Sequence, residues 1–376
     1  MVDVLFLNTL VTDIRFSLGM SFPDIDFVEP GVLVRRRLHD FPIIDNKDLE
    51  RLIKSATIGG PGNAAPLLQK TGLHTAVAGY LGAGEYDGWD LQGKFFIDSM
   101  RKYEIDTTFV NSLTDHPSAT TFISQSNEHE RAGLAFNSGA GDYFDFELAR
   151  KAVTYLKPRI VYYMYLGLSD SGDANEGNDL AKFMKYCKSL GIITIADTHT
   201  FDDPDNLGRI NPYESLENVL PTLDIFFSSI DEAKLISSAL NIIVSETSEE
   251  RFVNDYLRGL TAYSGDHTGT QLLGVTVKDG AYITCKTEEG WSAPIKIKSK
   301  FMSDEVVDLV GAGDAFRAGL LAYVSRNTES FKDATINFEE AVQMGNLFAS
   351  LYIKAPLEDR YENFRDYTSM LEMVHS

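Results

Sequence analysis

Short apolar runs of strand length recur along the chain: Val4–Leu7, Thr75–Ala78, Ile160–Tyr163, Ile192–Ala196, Asp224–Phe227 and Leu272–Val277. Several are separated by segments with helical spacing. In Asp179–Ser189, Leu180, Phe183, Met184 and Cys187 fall on one face, and Gly191 stops the helix just before the next apolar run. Strand and helix in alternation predict an α/β fold: a central, mostly parallel sheet with helices on both faces.

Two regions depart from that alternation. Residues 13–37 mix polar and aromatic positions with Pro23, Pro30 and Gly31, and residues 107–136 read as extended pieces divided by turn residues. Neither has helical period, so together they predict a small β-sheet lid standing apart from the main sheet. Asn46–Ser55 reads as a short helix. With no internal repeat and no Pro/Gly/Ser-rich linker, residues 1–376 are expected to form one domain.

Two glycine clusters carry the chemistry. Asp308–Phe316, DLVGAGDAF, follows an extended stretch and opens a helix, which sets Gly311, Ala312 and Gly313 at a helix N-terminus. Backbone N–H groups there lack intrahelical partners and the dipole is positive, so small residues let an anion come close. Asp314 then lies beside a nest suited to a phosphoryl group, where a carboxylate is placed to take the proton of an attacking hydroxyl. The bland reading is an aspartate capping a helix after a glycine turn. The second cluster, IGGPGNAA, sets Gly59, Gly60 and Gly62 before a helix running from Ala64 to about Lys70. The Asn63 amide and the Asp13 carboxylate, at the end of the first expected strand, are the acceptors and donors a polyol needs. Taken singly, Asn63 reads as a helix cap and Asp13 as a surface turn residue.

In this order the pieces resemble the ribokinase-like (PfkB) carbohydrate kinases, from about residue 4 to about residue 355. VAGYLGAGEYDGWDLQGKFFIDSMRKYEIDTTFV resembles the family's segment between sugar-binding glycines and lid, and PSATTFISQSNEHERAGLAFNSGAG its lid strand and following turn. The resemblance implies a ribokinase-like fold and ATP-dependent phosphorylation of a sugar or sugar-like polyol. Asp314 would be the base and Gly311, Ala312 and Gly313 the anion hole. Asp13, Gly59, Gly60 and Asn63 would hold the sugar. Glu232 would organise magnesium and phosphate, and Lys278, Gly280, Gly345 and Asn346 would line the nucleotide site. It also leaves room for a monovalent cation, and for two other readings: a nucleoside or other non-sugar kinase, and a catalytically weak pseudo-kinase. Ser229 stands where the family has the Asn of Asn-x-x-Glu, Leu309 where it has Thr, and Asp197-Thr198-His199 where it has Asp-x-Asn, while the turn in VTVKDGAYI is short.

Composition narrows the partners. Fifty-five acids against 34 bases give a net charge of −21, which opposes nucleic-acid binding. Cys187 and Cys285 are too few and too far apart for a disulfide framework or zinc site, and the N-terminal apolar run contains Asp3 and lacks a basic leader. A cytoplasmic protein without membrane contact is expected, and a homodimer through the lid. Gly88–Phe95 nearly matches a phosphate-binding loop, but Phe95 replaces its hydroxyl residue and Glu85, Asp87 and Asp90 surround it, so it reads as a turn into a helix near Lys94. The seven histidines show no His-x-x-x-His spacing. His199 reads as a loop residue, Arg35–Arg37 as a lid edge, and Tyr162, Tyr163 and Tyr165 as a strand end that fills core or stacks on a sugar.

Overall fold

A computed structural model describes residues 2–16, 33–36, 53, 56–124, 133–199, 212–265, 267–302 and 305–376. The expected helix at 46–55 lies outside them, apart from residue 53. The main sheet contains β1 (Val4–Leu7), β5 (Thr75–Gly82), β6 (Asp106–Leu113), β9 (Ile160–Leu166), β10 (Ile193–Thr198), β11 (Ile225–Ser229), β12 (Gln271–Val277), β13 (Gly280–Thr287), β14 (Gly290–Trp291) and β15 (Ile295–Lys298). Its strand order is β14-β13-β12-β11-β10-β9-β1-β5-β6, with β15 also on β13. From β6 across to β12 every pairing is parallel; β13 turns antiparallel and closes that end.

The central strands are apolar on both sides because both sides are covered. Val4 and Phe6 enter one core and Leu5 and Leu7 the other; Tyr162 and Tyr163 divide in the same way. The first core is built with α1 (Pro61–Lys70), α2 (Leu91–Lys102), α7 (Ala312–Arg326), α8 (Phe338–Lys354) and α9 (Tyr367–His375), the second with α3 (Phe146–Leu156), α4 (Asn178–Ser189), α5 (Ile230–Ala239) and α6 (Glu249–Ala262). Among the described residues no helix is long and apolar enough to cross a membrane.

A second sheet runs β3-β8-β7-β2-β4: β3 (Leu33–Arg36), β8 (Gly133–Asn137), β7 (Ala119–Ser124), β2 (Val11–Phe16) and β4 (Ala56–Gly59). The expected lid therefore exists, with two differences. Strand β6 (Asp106–Leu113), whose residues 107–113 were read from the sequence as lid, pairs with β5 in the main sheet. Residues 56–59 join the lid instead, as the antiparallel neighbour of β2. Alternation alone cannot say which sheet an amphipathic strand joins; β6 is half exposed because it is an edge of the large sheet.

The first strand is also shorter than it reads. Asn8 and Thr9 have φ of 72° and 43°, a left-handed break between β1 and β2. Asp13 consequently lies within the lid strand β2, between Thr57 of β4 and Thr121 of β7, and not at the end of β1. The loop read as a near-match to a phosphate-binding turn leads into α2, which starts at Leu91 with the Asp90 side chain capping Gly93 N–H at 2.7 Å.

Candidate active site

The two glycine clusters meet. Helix α7 opens at Gly311, in the left-handed region at φ 88°, with no side-chain cap. Asp314 is in its first turn and does not cap it. Its carboxylate instead accepts from the Asn63 amide of α1 at 2.9 Å and from the Tyr165 hydroxyl at 2.7 Å. Asn63 does not cap either; Gly60 is the residue before α1, and the Asn63 carbonyl accepts from Tyr352 of α8 at 2.6 Å. Gly311 is the glycine this arrangement requires, since a Cβ there would stand 2.6 Å from the Tyr352 hydroxyl and 3.0 Å from Asn63 Cγ. Within the nest, the Ala312 N–H is already bonded to the Leu309 carbonyl at 3.1 Å.

Burial governs the charges. Asp314 is 4% exposed, and removal from water raises its pKa against the pull of Arg317. Asp13 is 5% exposed; burial lifts it to about 7, opposed by Arg15 and by a hydrogen bond from Thr121. Gly59 makes room for it, because a Cβ at that position would lie 2.5 Å from an Asp13 oxygen. Gly60, at φ 56°, passes against the Thr9 carbonyl, where a side chain would collide.

Around Asp314 lies a cluster in which Asp197, Glu232 and Tyr165, each singled out in the sequence, meet Arg317, which no motif marks. Arg317, one turn along α7 and buried, points Nη1 at Asp197 (3.1 Å) and Asp314 (3.8 Å), and Nη2 at Glu232 (3.9 Å) and the Phe227 carbonyl (3.3 Å). Asp197 is fully buried and accepts from the Tyr162 hydroxyl at 2.8 Å and the Tyr165 N–H at 2.7 Å. Burial raises the pKa of Asp197 and of Glu232, with Arg317 the strongest opposing influence on each. Tyr165, at φ 58°, is held in a left-handed conformation unusual for a bulky residue, and His199 meets its ring edge-on at 5.1 Å.

Ser229 has a local task. It caps α5, accepting from the Glu232 N–H at 3.2 Å while Glu232 Oε2 accepts from the Ser229 N–H at 2.7 Å and from Thr198 at 3.3 Å. Among the described residues no group of three or more His, Cys, Asp or Glu side chains is disposed to hold a metal ion.

Of the residues expected at the nucleotide site, Gly280 and Asn346 are connected through β15. Gly280 pairs with Lys298, and its φ of 145° brings it against the Ile297 carbonyl. The Lys298 carbonyl accepts from Gln343 at 2.7 Å, and Gln343 accepts from the Asn346 amide at 3.2 Å. Gly345 lets α8 close on α7: a Cβ there would be 2.8 Å from the Phe316 ring. Lys278 occupies the turn before β13, next to Asp279, which pairs with Lys296 at 2.8 Å.

A third set ties lid to body. Arg360, 1% exposed, donates to the Tyr352 hydroxyl at 2.8 Å and pairs with Asp308 at 2.5 Å, while Arg15 of β2 reaches the same carboxylate at 2.7 Å. Arg317 follows Asp314 by three positions on the same helix without belonging to the glycine motif, and Tyr352 and Arg360 join from late in the chain, so no local motif announced Arg317, Tyr352 or Arg360. Asp13 and Arg15, two apart on a strand and so on one face, were the available signal.

The chain is similar to solved structures along its whole length. An adenosine kinase from Anopheles gambiae, in complex with P1,P4-di(adenosine-5) tetraphosphate, superposes with a TM-score of 0.69 at 16% identity, over 98% of this chain and 100% of its own. A ribokinase from Giardia lamblia gives 0.69 at 14% identity, over 100% and 98%. These likenesses establish a ribokinase-like fold. Among curated proteins, a 2-dehydro-3-deoxygluconokinase of Bacillus subtilis is 26% identical over 176 residues, which is 42% of this chain and 45% of that relative's length. The model of the pfkB family of carbohydrate kinases matches residues 54–358. The chain belongs to that family, a family of phosphotransferases.

Proposed function

We propose that this protein transfers the γ-phosphoryl group of ATP to a hydroxyl of a sugar or sugar-like polyol. The observation that carries the reading is the Asn63–Asp314 hydrogen bond, which brings the early and late glycine motifs to one buried centre. In this reading Asp314 accepts the proton of the acceptor hydroxyl, Asp13 and Asn63 hold neighbouring hydroxyls, and the first turn of α7 faces the transferring group. Gly59 and Gly60 act by leaving space. Lys278, Gly280, Gly345 and Asn346 border the nucleotide.

Magnesium belongs to the proposal as a companion of the nucleotide phosphates, since the described side chains offer no ligand set of their own. Glu232 then acts at one remove, through Arg317 and Thr198. A cytoplasmic setting accords with the free thiols Cys187 and Cys285. The reading also keeps a homodimer through the lid sheet, whose outer strands are β3 and β4 among the described residues; sedimentation at micromolar concentration tests it.

The likeness to an adenosine kinase structure favours a second reading, a nucleoside acceptor on the same fold. A screen of neutral sugars, sugar acids and nucleosides for ATP consumption by purified protein separates the two. Turnover with a sugar or sugar acid supports the first reading and turnover confined to nucleosides the second. Binding of a sugar without any turnover would make the protein a sensor and overturn both.

A further inference from the structure

The centre contains three buried acids and one buried base. Asp197, Glu232 and Asp314 lie 3.1, 3.9 and 3.8 Å from the Arg317 guanidinium. Arg317 also flanks the nest, because a Cβ on Gly313 would sit 3.1 Å from its Nη1. A guanidinium remains charged at any pH a protein survives, so this is a permanent cation fixed one helical turn from the proposed base.

We propose that Arg317 is a positioning residue that holds Asp314 as a carboxylate, ready to receive the acceptor's proton, and that Asp197 limits this effect by sharing the same guanidinium. The inference rests on the reading of Asp314 as the base. The proton moves from the acceptor hydroxyl to Asp314 as the hydroxyl oxygen bonds to phosphorus and the bond to the ADP oxygen breaks, so a protonated Asp314 cannot begin the step.

The groups facing Asp314 come from several elements. Asn63 of α1 and the Tyr165 hydroxyl of β9 donate to it. Asp197 of β10 opposes its charge. The field of Asp314 is in turn felt at Asp13 of β2, Tyr162 of β9 and Tyr352 of α8. Glu232 of α5 lies beyond the guanidinium. Of the charged groups in direct contact with Asp314, Arg317 is the positive one, and it is the foremost influence opposing the burial that favours the protonated acid.

The consequences have opposite signs at two positions. Arg317→Gln removes the cation, so the acid limb of the kcat/KM profile for the acceptor moves to higher pH. Moving that limb by one pH unit costs about ten-fold in rate along it, and the rate returns toward the parent's on the alkaline side. Asp197→Asn frees the guanidinium for Asp314, so the acid limb moves to lower pH. Thermal unfolding of each variant is measured alongside, and Asp314→Asn serves as reference.

An alkaline shift in Arg317→Gln with an acidic shift in Asp197→Asn supports the inference. It is overturned if Arg317→Gln loses activity equally at every pH, the mark of a purely architectural residue, or leaves the profile unmoved. Should Arg317→Gln not fold, Asp197→Asn decides by the direction of its shift alone, and an unmoved or alkaline limb sinks the idea. If Asp314→Asn keeps full turnover, it is the assignment of the base that fails, whatever Arg317 does.

Discussion

Asn63 and Asp314, 251 positions apart, are joined by a 2.9 Å hydrogen bond. The amide hydrogen goes to the carboxylate and the amide oxygen receives the Tyr352 hydroxyl, so one side chain serves two buried partners. Asn63→Ala leaves both without it. A buried polar group left unpaired costs about 1–3 kcal/mol, so the thermal midpoint is expected to fall, and acceptor KM to rise about ten-fold or more. Unfolding scans and steady-state kinetics check the two effects separately.

Asp314→Asn tests the proposed base. An amide of the same shape keeps the packing and loses the proton acceptor, so stability stays near that of the parent while kcat falls by about 10²–10⁴. The comparison needs turnover with the best acceptor from the screen and an unfolding curve of the variant.

Asp13 gives a pH signature in stability. Its folded pKa of about 7 stands above the ordinary carboxylate value of 3.8. The folded protein therefore holds a proton that the unfolded chain has released, and the associated stability is complete below pH 3.8 and lost as pH rises through 7. Asp13→Asn removes the titration. The variant should gain stability relative to the parent between pH 4 and pH 8, by about 1.4 kcal/mol for each pH unit crossed below the folded pKa. Denaturant unfolding at both pH values measures it, and a gap independent of pH would contradict the assignment.

Gly311→Ala places a methyl group 2.6 Å from the Tyr352 hydroxyl in a backbone region that disfavours it. Both stability and transfer should fall. Because the nearest obstruction is the hydroxyl oxygen, with Asn63 Cγ and the Tyr352 ring behind it at 3.0 Å, Gly311→Ala with Tyr352→Phe should lose less than the sum of the single losses, with a coupling of about 0.5–3 kcal/mol in a double-mutant cycle.

The chain disclosed its parallel sheet and both glycine motifs, because each rests on local pattern: apolar runs such as Ile160–Tyr163, or small residues before a helix such as Gly311–Gly313. It did not disclose where the first strand ends, since the break depends on left-handed Asn8 and Thr9, which neither residue type demands. Nor did it say that residues 106–113 border the large sheet while 56–59 join the small one, a choice made by long-range pairing. The charged interior was hidden for a similar reason. Arg317 reads as an ordinary helical residue until Asp197, Glu232 and Asp314 converge on it from three elements. Arg360, beyond every motif, is the largest fully buried side chain among the described residues.

The chain crosses between the two sheets at Asn8–Leu10 and again at Gly60, and these crossings touch, with Gly60 packed against the Thr9 carbonyl. Asp13 lies on one side of that seam and Asn63 on the other. The two residues are thus carried by different layers that meet where the chain passes from one sheet to the other. A side chain added at Gly60 would therefore press on both crossings at once, through the Thr9 carbonyl, without touching Asp13 or Asn63.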